Sequence, residues 1–343
     1  KCGLLTRLQS TKETQDLLDG LKKGTVHMVI ATHKVLAKAV EFHDLGLLVL
    51  DEEQRFGVEH KEKLKEKYPL VNVLTLSATP IPRTLNMSLT GVRDISMLET
   101  APNGRLPVQT YVVGYSDALC VDAITRELAR GGQTLILLNN VEALDSYASK
   151  LRALCPEARI ITAHGQMLPG QLEERMSAFY DKDFDVLVAT TIIENGIDLP
   201  DANTLVVIDS GKFGLSQLYQ LRGRVGRRGA LAHAYFTVPE NGALTDTAQK
   251  RLNTLLENTD IGSGFKVALA DLSIRGAGNL LGAEQSGHIE KVGYEMYLEL
   301  LDEAVQEVKT GVKKQEIKDV EMKVDAAAFI NDSYISGRDK LRV

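Results

Sequence analysis

An apolar run at positions 47–50 ends in three consecutive acids, Asp51, Glu52 and Glu53. A carboxylate beyond the carboxyl end of a parallel strand can take a Mg²⁺ ion through its water shell. A neighbouring carboxylate can orient or deprotonate a water that attacks a γ-phosphate. Taken alone, the same residues read equally well as a solvated acidic turn. The next apolar run, VNVLTL, ends in Ser77, Ala78 and Thr79 ahead of Pro80. Small hydroxyl side chains there could hydrogen-bond to the acidic loop and pass the phosphate state onward, although by themselves they are a strand-ending turn. A third stretch, QLYQLRGRVGRRG at 217–229, sets Arg222, Arg224, Arg227 and Arg228 among glycines. Glycines allow close backbone approach and arginines supply planar donors to phosphate oxygens. A solvated basic loop is the plain alternative. The sharper reading is that arginines from a second lobe stabilise charge on a transferring phosphoryl group only when the lobes close.

The elements that must hold these residues are legible as short apolar, β-branched runs, each followed by a turn and a segment of helical periodicity. The runs lie at 27–32, 45–51, 71–79, 132–140, 158–165, 184–191 and 204–210. Their apolarity is continuous rather than alternating, which predicts an α/β protein with two parallel sheets covered on both faces. The stretch LETAPNGRLPVQTYV at 98–112 carries two prolines and a glycine without periodicity and reads as the linker between the sheets, with a boundary near residue 105. Beyond about residue 240 the strand pattern stops and helices joined by glycine turns are expected. An apolar stripe through Tyr297, Leu298, Leu301, Val305 and Val308 predicts a further helix closed by Gly311.

Composition narrows the classes. The 343 residues suffice for two or three domains, and hydrophobic content of 44% with 25% charged residues is ordinary for globular proteins. No apolar stretch approaches the roughly 18 residues of a membrane span. Cys2, Cys120 and Cys155 are far apart and odd in number, which suggests neither a disulfide framework nor a zinc site. A net charge of −6 argues against a generally basic nucleic-acid coat and leaves room for a local basic groove. His27, His43, His60, His233 and His288 have no metal-ligand spacing.

The order DExx, SAT and QxxGRxGR, with ATTIIENGIDLPDAN at 189–203 and TAHGQM at 162–167, resembles the motifs of superfamily 2 helicases. Longer stretches, among them LSATPIPRTLNMSLTGVRDIS and DLSIRGAGNLLGAEQSGHIEKVGYEMYLELL, resemble the translocase module of the bacterial transcription-repair coupling factors over essentially the whole chain. A RecG-type fork-remodelling helicase and an ATPase-inactive DNA- or protein-binding module are the alternatives. The resemblance implies two RecA-like lobes, the first incomplete, over 1–105 and 106–240. It implies a helical translocation motif over 241–311, and a linker with the start of a further domain over 312–343.

It further implies ATP and Mg²⁺ as cofactors, with Asp51 holding the metal, Glu52 activating water, and Arg224 and Arg227 acting as fingers. Gln54, Ser77, Thr79, Gly196, Asp198 and Gln220 would bind nucleotide or couple it to the lobes. Thr32 and Lys34 in ATHKVL, and His164, Gly165, Thr190 and Thr191 in the second lobe, would touch DNA phosphates and grip without reading sequence. Arg275 and Gln285 would couple turnover to movement. The implied partners are double-stranded DNA and, through domains mostly outside this chain, RNA polymerase and excision-repair proteins, with no membrane. The implied compartment is a bacterial cytoplasm, with a chloroplast as the alternative.

One expected part is missing. A GxxxxGK[ST] loop should precede Asp51, because its amides cradle phosphates and its lysine contacts them. GLKKGT at Gly20 lacks the spacing and GKFGLS at Gly211 has the pair in the wrong context. The expectation is that the chain starts inside the first lobe and does not turn over ATP by itself.

Overall fold

The computed structural model describes residues 1–6, 9–37, 39–52, 66–80, 94–98, 100, 104–191, 199–227, 229–239, 244–260 and 262–275. Every strand pair among them is parallel. Six strands form one sheet in the order β5-β10-β9-β6-β8-β7: β5 (Gln109–Gly114), β6 (Gln133–Leu137), β7 (Ile160–Ala163), β8 (Val186–Ala189), β9 (Ala202–Val207) and β10 (His233–Val238). Helices α2 (Asp117–Ala129), α3 (Leu144–Leu154) and α4 (Pro169–Tyr180) alternate with the strands. The helices α5 (Leu215–Arg222), α6 (Asp246–Glu257) and α7 (Gly264–Arg275) follow. This is the parallel α/β sheet expected of the second lobe.

Alternate residues of the same strands feed two cores, as the period of two along a strand requires. Ile136, Val186, Val188 and Val206 pack with Cys120, Ile124, Ala148 and Leu151 of α2 and α3. Leu135, Leu187, Leu205 and Val207 pack with Phe179, Leu218, Leu252 and Val267 of α4 to α7. Both faces are therefore dry, and every residue of β6, β7, β8 and β9 is buried. The helix starts are capped by short polar side chains where the chain supplies them: Leu119 N donates to Ser116 Oγ at 3.1 Å, and Ala248 N to Thr245 Oγ1 at 3.2 Å.

The first part of the chain contributes two two-stranded parallel sheets, β1 (Cys2–Leu5) with β2 (Met28–Ala31) and β3 (Leu47–Asp51) with β4 (Asn72–Leu76). Helix α1 (Thr11–Lys22) opens on a Ser10–Glu13 capping box and supplies Leu17 and Leu21 to a small core with Leu5, Val26 and Val40. The expectation of strands covered on both faces fails here. Burial alternates along β3 and β4, and Leu47, Val49, Leu74 and Leu76 stay exposed, so only one face of each ribbon is packed.

Two further expectations are corrected. Residues 109–112, read as the end of the linker, belong to β5, an edge strand in register with β10 from Gln109↔His233 to Gly114↔Val238. Three sheets are present among the described residues where two were expected. The stripe from Tyr297 to Gly311 lies outside the described residues.

Candidate functional site

Asp51 is the last residue of β3, and Glu52 follows it in the left-handed region at φ 52°, which few residues with a Cβ occupy. Glu52 N donates to Asp51 Oδ1 at 2.9 Å, so the carboxylate caps the turn it creates. One strand over, beyond β4, Thr79 N donates to Ser77 Oγ at 3.2 Å and Ser77 Oγ donates to the Thr79 carbonyl at 2.7 Å. This knot fixes Thr79, which is 3% exposed, with its hydroxyl facing the second lobe.

Helix α5 and the glycine turn after it answer from the other side. Gln220 Nε2 donates to Thr79 Oγ1 at 3.3 Å, and Arg224 Nη2 stands 3.7 Å from Glu52 Oε1 with both side chains largely buried. Gly226 makes the turn at φ 72°, and a Cβ there would sit 2.6 Å from the Cβ of Ala232. The same side chains that looked able to act on a phosphate thus meet across the lobe boundary: Glu52 and Thr79 from strand ends, Gln220 and Arg224 from α5 and its turn.

The arginines sort into separate tasks. Arg222 is buried, donates to the Leu255 carbonyl at 3.0 Å and the Asn258 carbonyl at 2.6 Å, and lies over the Tyr219 ring; burial holds its pKa below the usual guanidinium value. It ties α5 to the end of α6. Arg227 is exposed, with Nε donating to the Gly223 carbonyl at 3.4 Å. The same carbonyl accepts from Arg105 Nη2 at 3.0 Å. Burial, and then the neighbouring charge of Arg227, lower the Arg105 pKa. Sequence reasoning missed Arg105: its partner is 118 residues away, and no local pattern marks it.

The second-lobe residues expected at DNA converge at the carboxyl ends of β7 and β8, where Ala163 and Ala189 are in register. Thr190 N donates to the Ala163 carbonyl at 3.2 Å, beside His164 and Gly165. Thr191 follows. His164 Nδ1 is buried with no hydrogen-bond partner among the described residues. Thr162 beneath this end is held by Arg175, whose Nη1 donates to its carbonyl at 2.8 Å and its hydroxyl at 2.9 Å. Thr32 and Lys34 lie apart from this group, exposed at the end of β2, where Lys34 Nζ donates to the Thr6 carbonyl at 3.2 Å. Gln54, Gly196, Asp198 and Gln285 lie outside the described residues, and Arg275 is described only as the last residue of α7.

Among the described residues, no group of three or more His, Cys, Asp or Glu could hold a metal ion unaided. A Mg²⁺ ion that arrives on a nucleotide needs only one or two carboxylates, keeping waters and phosphate oxygens for the rest. Asp51, exposed at its strand end, fits that requirement.

Residues 2–88 match the DEAD/DEAH box helicase family and residues 117–229 the helicase conserved C-terminal domain. The chain is 53% identical over 340 residues to a transcription-repair-coupling factor of Bacillus subtilis, covering 99% of this chain and 29% of that protein. The chain belongs to the transcription-repair-coupling factor family. A second member, from Staphylococcus haemolyticus, is 51% identical over 97% of the chain and 28% of its own length. The chain therefore spans less than a third of the curated coupling factors it matches. Among solved structures, that of RecG bound to a three-way DNA junction is similar at a TM-score of 0.63 and 32% identity, over 88% of this chain and 39% of RecG. In coupling-factor terms the site lies between the two helicase domains. No helix among the described residues is long and apolar enough to cross a membrane.

Proposed function

We propose that this chain is the core of an ATP-driven translocase on double-stranded DNA, which in the whole protein displaces stalled RNA polymerase and couples transcription to excision repair. The observation that carries the reading is the pairing of Glu52 with Arg224 and of Thr79 with Gln220 across the lobe boundary. Hydrolysis confined to such a boundary depends on lobe position, which is what converts turnover into displacement. The names of the coupling-factor relatives support the cellular role, and the RecG likeness supports branched or duplex DNA as the track. RecG-type fork remodelling is the second reading, weakened by 32% identity against 53%. The proposed compartment is the bacterial cytoplasm.

In the proposed mechanism Asp51 is the residue that would hold a Mg²⁺ ion, which would supply neutralising charge to the terminal phosphates of ATP. Glu52 accepts a proton from the attacking water. Its pairing with Arg224 means that nucleotide must draw the guanidinium away before the carboxylate can serve as a base. Arg224, and Arg227 exposed beside it, then face the γ-phosphate and stabilise the charge that develops there. Thr79 and Gln220 carry the change between lobes. Thr190, Thr191, His164 and Gly165 grip the DNA backbone, with Thr32 and Lys34 as the first-lobe counterpart. By the family resemblance Gln54, Gly196 and Asp198 would serve the nucleotide, and Arg275 and Gln285 would couple turnover to movement.

Because no GxxxxGK[ST] stretch lies in the chain, the 343 residues by themselves are proposed to be inactive. The test is ATP hydrolysis, with and without duplex DNA, by this chain and by a version extended upstream through a phosphate-binding loop. Duplex-stimulated hydrolysis is expected only in the extended protein. There, Arg224→Ala should lower kcat by about 10³-fold or more, the scale of an arginine finger, with nucleotide binding largely retained. Hydrolysis by the 343 residues would refute the inactivity proposal, and inactivity of both proteins would refute the translocase.

A further inference from the structure

Helix α7 begins at Gly264, and the start of that helix bears on the strand-end turn of the first lobe. A Cβ built at Gly264 would lie 2.0 Å from the Ala78 carbonyl oxygen, with Tyr219 Cε1 of α5 next at 3.5 Å. Gly264 is not among the glycines with left-handed φ, so its own backbone would accept any residue. Clearance is what demands glycine: the two main chains are in direct contact, and the obstacle is a carbonyl that has no rotamer with which to move aside. The free amides of a helix's first turn make a carbonyl oxygen a favourable neighbour there.

Further along the same helix, the buried Asp271 Oδ2 accepts from Ser216 Oγ of α5 at 3.2 Å. Helix α7 is thus fastened to α5, the helix that carries Gln220 and leads to Arg224, while its tip rests on Ala78, the residue between Ser77 and Thr79.

We infer that Gly264 is a positioning residue: by lacking a side chain it lets α7 seat against Ala78, and this seat sets the spacing of Thr79 from Gln220 and of Glu52 from Arg224. The inference deepens the proposed function and rests on it for its meaning, since the spacing matters only if those four residues act together. A side chain at 264 must lift the second lobe from the first. Moving from 2.0 Å to the 3.0 Å that real Cβ contacts require opens the boundary by at least about 1 Å. Contacts of 3.3 and 3.7 Å do not survive that displacement.

The experiment is a pair-label distance measurement on the 343-residue chain, which stands whatever the ATPase assay gives. Spin labels at the exposed positions Asp44→Cys and Glu157→Cys, in a Cys2→Ser background, report the lobe separation. Gly264→Ala should shift the distribution to longer distances by at least about 1 Å or broaden it, while far-UV circular dichroism of the chain is unchanged. An unchanged distribution in a folded Gly264→Ala overturns the inference. Ser216→Ala adds no atom and loosens the far end of α7, so it should broaden the same distribution. If Gly264→Ala does not fold, an unaltered distribution in Ser216→Ala overturns the inference instead. Loss of ATPase in the extended protein without any change in separation would also count against it, whereas an extended protein with no ATPase to lose would count only against the translocase reading.

Discussion

Arg222 donates to two carbonyls at the end of α6, whereas Arg224, two residues on, faces Glu52 across the lobe boundary. Both stand in one glycine-rich stretch, and residue type alone could not separate them. What separates them is the end of α5: Arg222 is its last residue and reaches the Leu255 carbonyl, while Arg224 lies beyond the helix end at Gly223. Arg222→Met should therefore cost stability rather than chemistry. The Leu255 carbonyl loses its charged donor and the half-buried Asn258 carbonyl keeps only Ser263 Oγ, so urea denaturation should show a loss of about 1–3 kcal/mol. The acids and hydroxyls of the site were legible from the sequence because their chemistry is carried by local order. Arg105 and Gly264 were not, since one acts through a carbonyl 118 residues distant and the other through an atom it lacks.

Strands β7 and β8 are set side by side by a clasp at their amino ends. Asp185 accepts from Arg159 N and Nε through Oδ2 at 2.9 and 3.0 Å, and from Nη2 through Oδ1 at 2.7 Å, while Asp185 N donates back to the Arg159 carbonyl at 2.9 Å. Partial burial acts to raise the Asp185 pKa, but the hydrogen bonds and charge of Arg159 outweigh it and leave the carboxyl below its usual value. A depressed folded pKa contributes stability that is fully present above the unfolded value of about 3.9 and is lost as pH falls through the folded one. Asp185→Asn should thus lower stability at pH 7 and flatten its decline below about pH 4, as read from urea midpoints across that range. At this scale strands β6 to β9 were legible because both faces are covered and their apolarity is continuous. Strands β5 and β10 were not: Gln109, Thr110, His233 and Thr237 break the apolar run in a pair whose outer member is an edge.

Taken as a whole, the molecule joins a two-faced lobe to a one-faced one. The six-stranded sheet has a core on each side, while Leu47, Val49, Leu74 and Leu76 of β3 and β4 remain in contact with water. Native-state hydrogen exchange should accordingly show the amides of β3 and β4 opening at least about 100-fold faster than those of β6 and β8. Equal protection would mean that the exposed faces are covered in solution. The sheet order has a mechanical side as well. Strand β5, where the chain enters the second lobe, lies parallel to β10, the last strand before α6, and the two are paired at six positions from Gln109↔His233 to Gly114↔Val238. A pull between the first lobe and the helices beyond β10 is applied at opposite ends of that pair. It loads the six positions together in shear, instead of peeling them apart one at a time, so the pair yields to such a pull only when all six let go at once.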